Sequence, residues 1–319
     1  MIVTPFHHFA GERSALTLID ALGQVLASLE SLRNLRALAV LLGTFATAGL
    51  LLAMAEASLA KGAVWWGPIE AGAALTAAFY GGNAAGLLVM AEACGRPVRE
   101  VADALRAALA SAHRLIGALL LLLAAAAAIA GVVVGLLWLC RLSVTGPVVG
   151  PMLFGLVVPL AVITLGWLLL SLLAVVVPLA APAVWSGAGV MAVVRVLLRL
   201  IRTRLLVVAL LMAAVSLLAA AVGALVSFVV MAGGRAVAEL GVAVVGVDVP
   251  VQQLMAGLFG YGLRSLGAAG APVVATAHGS AALVGGGVVF ALALVLPGLV
   301  TLRGACSVYV SLREPTQVG

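Results

Sequence analysis

The chain has 319 residues, of which 65% are hydrophobic and only 9% are charged. An ordinary soluble domain carries about a quarter charged residues, so this composition excludes a water-soluble surface and makes the bilayer the main solvent. The formal net charge of +6 lies in short arginine clusters beside apolar runs, without interleaved aromatics or a basic domain, which argues against a nucleic-acid partner.

Six apolar runs of about 20 residues are long enough to cross a bilayer as helices. The second run has a glycine-rich interruption around Asn83, and in the fourth we expect a kink at Pro159 and a boundary at Pro178. The sequence therefore predicts an all-α polytopic transmembrane helical bundle, a single integral membrane domain over residues 1–319. In chain order the runs are 38–59, 69–91, 115–139, 153–177, 205–231 and 281–302.

Basic residues divide unevenly between the two sides that six crossings create. Because Lys and Arg concentrate in cytoplasmic loops, the richer side and both termini are predicted to face the cytoplasm. The poorer side holds four basic residues: Lys61, Arg141, Arg235 and Arg264. The richer side holds thirteen: Arg13, Arg33, Arg36, Arg96, Arg99, Arg106, Arg114, Arg195, Arg199, Arg202, Arg204, Arg303 and Arg313.

A segment with helical periodicity precedes the first, third and fifth runs. This pattern predicts three hairpin units, residues 14–92, 97–182 and 187–313, each preceded by a cytoplasmic amphipathic helix. The apolar positions that share a face are Leu18, Leu22, Val25, Leu29 and Leu32 in the first segment, Val98, Val101, Leu105 and Leu109 in the second, and Val193, Val196, Leu197, Leu200 and Ile201 in the third.

The third unit contains an additional segment, residues 233–280, between its two spans. Asp248 can cap a helix that has Pro250 in its first turn, with an apolar face that includes Leu254 and Leu258. We expect an interfacial helix on the outer side or a cap over the bundle, and a re-entrant segment stays open as the alternative.

Polar residues inside the predicted spans are few, and no ionisable residue lies near a span centre, where it would indicate an ion or proton pathway. Asn83 is the strongest intramembrane candidate, with Thr76 and Tyr80 in the two preceding turns. Helix packing is favoured over a solute site, since small neighbours allow close approach.

Glu56 and Glu70 flank the outer turn after the first run. We favour membrane-edge carboxylates as their role over proton coupling.

The densest charge feature is the group Arg195, Arg199, Arg202 and Arg204. It could contact anionic lipid or a negatively charged partner, although an anchor that merely determines topology is the favoured interpretation.

No metal, cofactor or catalytic residue is predicted from the titratable and nucleophilic side chains. The four histidines, His7, His8, His113 and His278, lack ligand partners at helical spacing, although His278 as an outer ligand of a pigment or haem stays open. The sequence contains no phosphate loop, nucleophile elbow or HExxH motif. We therefore expect a protein that is not an enzyme.

The segment from Pro178 to Leu218, PLAAPAVWSGAGVMAVVRVLLRLIRTRLLVVALLMAAVSLL, resembles a recurrent segment of bacterial six-span proteins of the YciC-like group and of the membrane domain attached to some glycerophosphodiester phosphodiesterases. Residues 95–122 look like an earlier instance of the same pattern. The resemblance implies a six-span bundle in the bacterial cytoplasmic (inner) membrane. Because no soluble phosphodiesterase domain is present, it transfers neither that activity nor catalytic residues.

These patterns together favour a non-enzymatic membrane subunit or scaffold that packs against and stabilises a larger membrane protein complex. Its partners would be the lipid bilayer and other membrane protein subunits. The alternative is a permease or a transporter of lipid or small solutes, with its site near Asn83 and a fourth span broken at Pro159. An intramembrane enzyme is the third choice, and only Glu56 and Glu70 support it.

Overall fold

The computed structural model describes Gly23 and residues 34–60, 62–97, 100–141, 146–245 and 277–312. The elements within those residues are all helical. In chain order they are α1 (Leu35–Ala60), α2 (Trp66–Ala93), α3 (Val101–Arg141), α4 (Gly146–Ser171), a π-helical turn (Leu172–Val176), α5 (Val177–Trp185), α6 (Val190–Val245) and α7 (Ala277–Leu312).

Six stretches of the described helices are long and apolar enough to cross a membrane. Each overlaps one of the six apolar runs, so the prediction of an all-helical chain with six candidate spans is confirmed. The fourth stretch combines α4, the π-helical turn and α5. The stretches are Leu35–Leu52, Trp66–Ala93, Val101–Cys140, Gly150–Trp185, Val190–Gly241 and Ala293–Leu312.

Helices α1 and α2 pack side by side in opposite directions. Asn34, directly before α1, donates a hydrogen bond to Glu92 near the end of α2, over 2.6 Å. Halfway along the pair, the side chain of Thr44 lies where a Cβ on Gly81 would stand. A glycine is required there because any side chain would separate the two helices, so the glycine-rich interruption is a helix contact and α2 runs through it unbroken.

The fourth crossing departs from α-helical geometry near Pro178 instead of at Pro159. Helix α4 continues without a break through Pro159. The π-helical turn follows, in which the Val177 N–H donates to the Leu172 carbonyl five residues back. Proline has no N–H and cannot donate a backbone hydrogen bond, so the backbone hydrogen bonds directly before Pro178 are rearranged into the π-helical turn. Pro178 itself lies in the first turn of α5. The expected boundary at Pro178 is therefore a change of helix type within one crossing.

Helix α6 is broken once, at Arg204, whose backbone has φ −140° and ψ 22°. Beyond the break, α6 packs against α7 in the opposite direction, with Val215 against Gly304 and Gly223 against Pro297. The break separates a basic segment, residues 190–203, from the long apolar remainder.

The apolar positions of the first predicted amphipathic segment lie outside the described residues, whereas those of the second lie partly within them. In the second, the buried positions are Ala104 and Ala108, whereas Leu105 and Leu109 on the predicted apolar face are exposed. The small alanine side chains allow close contact between helices and leave the larger leucines on the outer face. Contact of the leucine face with the membrane interface stays a prediction.

The predicted insertion 233–280 begins and ends in helix, because α6 continues to Val245 and α7 begins at Ala277. Asp248 and Pro250 lie outside the described residues. The division into three repeated units and the interfacial position of the insertion stay predictions.

The main buried cluster lies towards one end of the bundle. It takes in the first turns of α1, the last turns of α2 and α7, the starts of α3 and α6, and α5. The opposite halves of α3 and α6 carry many exposed large apolar side chains.

Candidate functional site: the polar helix contact at Asn83

Asn83 is buried in α2 and makes the principal polar contact between helices that lies inside the predicted spans. Its Nδ2 donates to the Phe79 carbonyl of the same helix over 2.8 Å. The indole Nε1 of Trp185, at the end of α5, donates to Asn83 Oδ1 over 3.0 Å. Both ends of the amide are thus engaged by the protein, and the contact joins α2 to α5.

Gly86 lies one turn after Asn83 and makes room for the indole. A Cβ built on Gly86 would overlap the six-membered ring of Trp185. Trp185 is 8% exposed and Asn83 is 5% exposed, so the hydrogen bond lies in an apolar surrounding where an unpaired amide would be costly. The arrangement can hold two helices in register.

Thr76 and Tyr80 do not complete a buried polar patch with Asn83. Thr76 is exposed and donates its hydroxyl to the Gly72 carbonyl over 2.8 Å. Tyr80 is partly buried and packs edge-on against Phe79, with ring centroids 5.3 Å apart. The three predicted residues lie along one helix, and the structure brings only Asn83 into the contact with α5.

Further polar contacts connect the helix ends beside the Asn83 site. Asn34 Oδ1 accepts from the Ala37 N–H over 3.0 Å and caps α1, while its Nδ2 bonds Glu92. Arg303 of α7 donates to the Val89 carbonyl over 3.4 Å. The sequence did not predict the contacts of Asn34 or Arg303, although an asparagine directly before an apolar helix is a recognised start signal.

One more contact ties the turn after α5 to α7. The Ser186 hydroxyl lies 3.4 Å from the Tyr309 hydroxyl of α7. Gly187 in the same turn has φ +97°, a left-handed conformation that glycine adopts without strain. The turn therefore positions Trp185 on one side and the start of α6 on the other.

The predicted arginine group lies at the same end of the bundle. Arg195, Arg199 and Arg202 are exposed on residues 190–203, and Arg204 is exposed at the break. On the opposite side of this segment Val193 and Leu197 are fully buried. The segment thus packs through its apolar face and directs its arginines outward.

The remaining candidates gain little from the structure. Glu70 Oε2 is buried and has no hydrogen-bond partner among the described residues, and the side chain of Glu56 is not described. His113 is exposed, whereas His7, His8 and the side chain of His278 are not described. Within the described ranges no three His, Cys, Asp or Glu side chains form a metal-binding group.

Comparison with known proteins returned no match, either to a protein-family model, to a curated protein or to a solved structure. The resemblance to the YciC-like group therefore stays a prediction, and the function is argued from the geometry of this chain.

Proposed function

We propose that the chain is a non-enzymatic subunit or scaffold of a larger membrane protein complex, contacting its partner through the far half of α6. It would lie in the bacterial cytoplasmic membrane with both termini in the cytoplasm. The observation that carries the proposal is the length and exposure of α6 beyond Arg204.

Residues 205–245 form a helix of roughly 60 Å, whereas the hydrocarbon core of a bilayer is about 30 Å thick. Membrane helices tilt by up to about 40°, which would still leave a rise of roughly 45 Å. Because the helix starts at the arginine-rich end, its last turns would extend past the hydrocarbon core on the opposite side of the bilayer. Lipid tails cannot cover those turns.

The projecting turns carry an apolar stripe. Val237, Leu240 and Val244 share one helix face and are 63%, 61% and 79% exposed. The opposite face carries Arg235, whose Nε lies 3.0 Å from Glu239 Oε1. Covering one such apolar side chain contributes about 1.5–3 kcal/mol, so the stripe suits a helix or loop of a second membrane protein.

The transporter alternative loses its principal support at Asn83. Its amide oxygen and amide nitrogen are both bonded within the chain, which suits helix packing better than solute recognition. An Asn83→Ala protein that is expressed normally but fails to move solute would restore the alternative.

The test combines extraction in mild detergent with quantitative mass spectrometry of the co-purifying chains. Wild type is compared with Val237→Ser/Leu240→Ser, which makes the stripe polar, and with Arg235→Ser, which changes the opposite face of the same turns. We expect a partner in fixed stoichiometry with wild type and with Arg235→Ser, and its loss from the double variant.

A chain that is monodisperse and alone in all three preparations would contradict the proposal. A partner retained equally by the double variant would move the contact away from the α6 stripe. A uniformly solitary protein that is stabilised by a solute would instead favour transport.

A further inference from the structure

The segment 190–203 has an arginine stripe on the side turned away from the bundle core. Arg195 and Arg202 are seven residues apart, so they lie on one side of the helix about 10 Å apart along its axis. Arg199 lies between them, and all three are exposed. We propose that this stripe, continued by Arg204, binds the phosphate-bearing headgroups of anionic phospholipids.

The position of the stripe matches the headgroup region. The helix break at Arg204 directly precedes the apolar part of α6 that is long enough to cross the membrane. The arginines therefore lie at the edge of a span, where lipid phosphates are located. Guanidinium groups bind phosphate through two parallel N–H donors, which gives stronger contacts than charge alone.

Apolar side chains beside the stripe favour lipid over an acidic protein segment. Met191 and Leu198 are exposed at helix positions next to the arginine side, and Leu206 is exposed just past the break. Such residues insert between acyl chains while the neighbouring arginines reach the headgroups. An acidic peptide would use the charges and leave these apolar side chains in water.

The local charge is strongly positive. Residues 190–204 contain four arginines and neither Asp nor Glu. On α3, by contrast, Arg106 lies 3.5 Å from Asp103, which partly compensates its charge. The difference makes Arg106 a suitable control for the stripe. The inference is independent of the proposed partner contact, which involves the far end of α6.

The experiment titrates the purified full-length protein, in neutral detergent, with phosphatidylglycerol and phosphatidylcholine and counts bound lipids by native mass spectrometry. The variants are Arg195→Gln/Arg202→Gln, Arg195→Lys/Arg202→Lys and the control Arg106→Gln/Arg114→Gln. An arginine near an anionic surface contributes about 1 kcal/mol, so the glutamine stripe variant should lose roughly 30-fold in phosphatidylglycerol affinity.

The lysine variant should bind between wild type and the glutamine variant, because lysine keeps the charge but not the paired N–H donors, and the α3 control should change less than about threefold. An equal loss in the control would show diffuse charge attraction and overturn the assignment to the stripe. Equal binding of both lipids by wild type would also overturn it, as would displacement by matched concentrations of soluble glycerol phosphate. Unchanged lipid binding accompanied by loss of a co-purifying acidic protein would assign the stripe to that protein.

Discussion

The hydrogen bond between Trp185 and Asn83 allows a direct test of how the bundle is held together. Asn83→Ala and Trp185→Phe are each made alone and then combined. Trp185→Phe removes the indole donor and leaves Asn83 Oδ1 without the bond that it accepts over 3.0 Å. Asn83 Nδ2 keeps its bond to the Phe79 carbonyl, so the cycle isolates the contact between α2 and α5.

Hydrogen bonds between membrane helices contribute about 0.6 kcal/mol on average and up to about 1.7 kcal/mol. This bond is buried on both sides, so we expect a coupling free energy of about 1 kcal/mol, or about fivefold in the folding equilibrium. Trp185→Phe alone should cost roughly 1–3 kcal/mol, because it also removes part of the ring that packs against Gly86.

The assay is reversible unfolding in mixed micelles with a rising fraction of denaturing detergent. Trp138→Phe serves as the control partner for Asn83→Ala, because Trp138 is 60% exposed on α3. That pair should be additive within about 0.5 kcal/mol. If the Asn83 and Trp185 changes are equally additive, the bond contributes nothing to stability and the interpretation of Asn83 as a packing residue is refuted.

Two further predictions concern the same bundle end. Gly86→Ala should lower the free energy of unfolding by roughly 1–3 kcal/mol in the same detergent titration, because its Cβ would overlap Trp185. Gly82→Ala is the control, because no atom lies within 4 Å of the added Cβ, and it should be neutral or slightly stabilising. Asn34→Ala removes both the cap of α1 and the bond to Glu92, and it should cost about 1–2 kcal/mol and speed amide hydrogen exchange in the first turn of α1. An unchanged exchange rate would show that the cap does not hold that turn.

Much of the architecture could be predicted because the bilayer imposes a simple requirement on the sequence. A spanning segment must satisfy its backbone polar groups internally and expose apolar side chains, so each crossing appears as an apolar run of known length. All six candidate spans overlap such runs. Asn83 also stood out, since one amide among small apolar residues is conspicuous in any membrane segment.

The partners of those residues could not be predicted in the same way. Trp185 is 102 residues from Asn83 in the chain, and neither periodicity nor composition connects them. The same holds for Asn34 and Glu92. The two prolines of the fourth crossing also differ in a way that the sequence did not predict, because α4 continues through Pro159 whereas a π-helical turn directly precedes Pro178.

The sequence by itself determined the helical class, the number of candidate spans and the end of the bundle at which the arginines lie. These properties depend on the transfer of individual side chains between water and lipid, which is local along the chain. Only the tertiary structure decided that Gly81 and Gly86 are contact points, that Asn83 is bonded by Trp185 and that Val237, Leu240 and Val244 near the end of α6 are exposed. These contacts and exposures depend on which helix surfaces pack together, and helices that are distant in the sequence pack together only in the folded bundle.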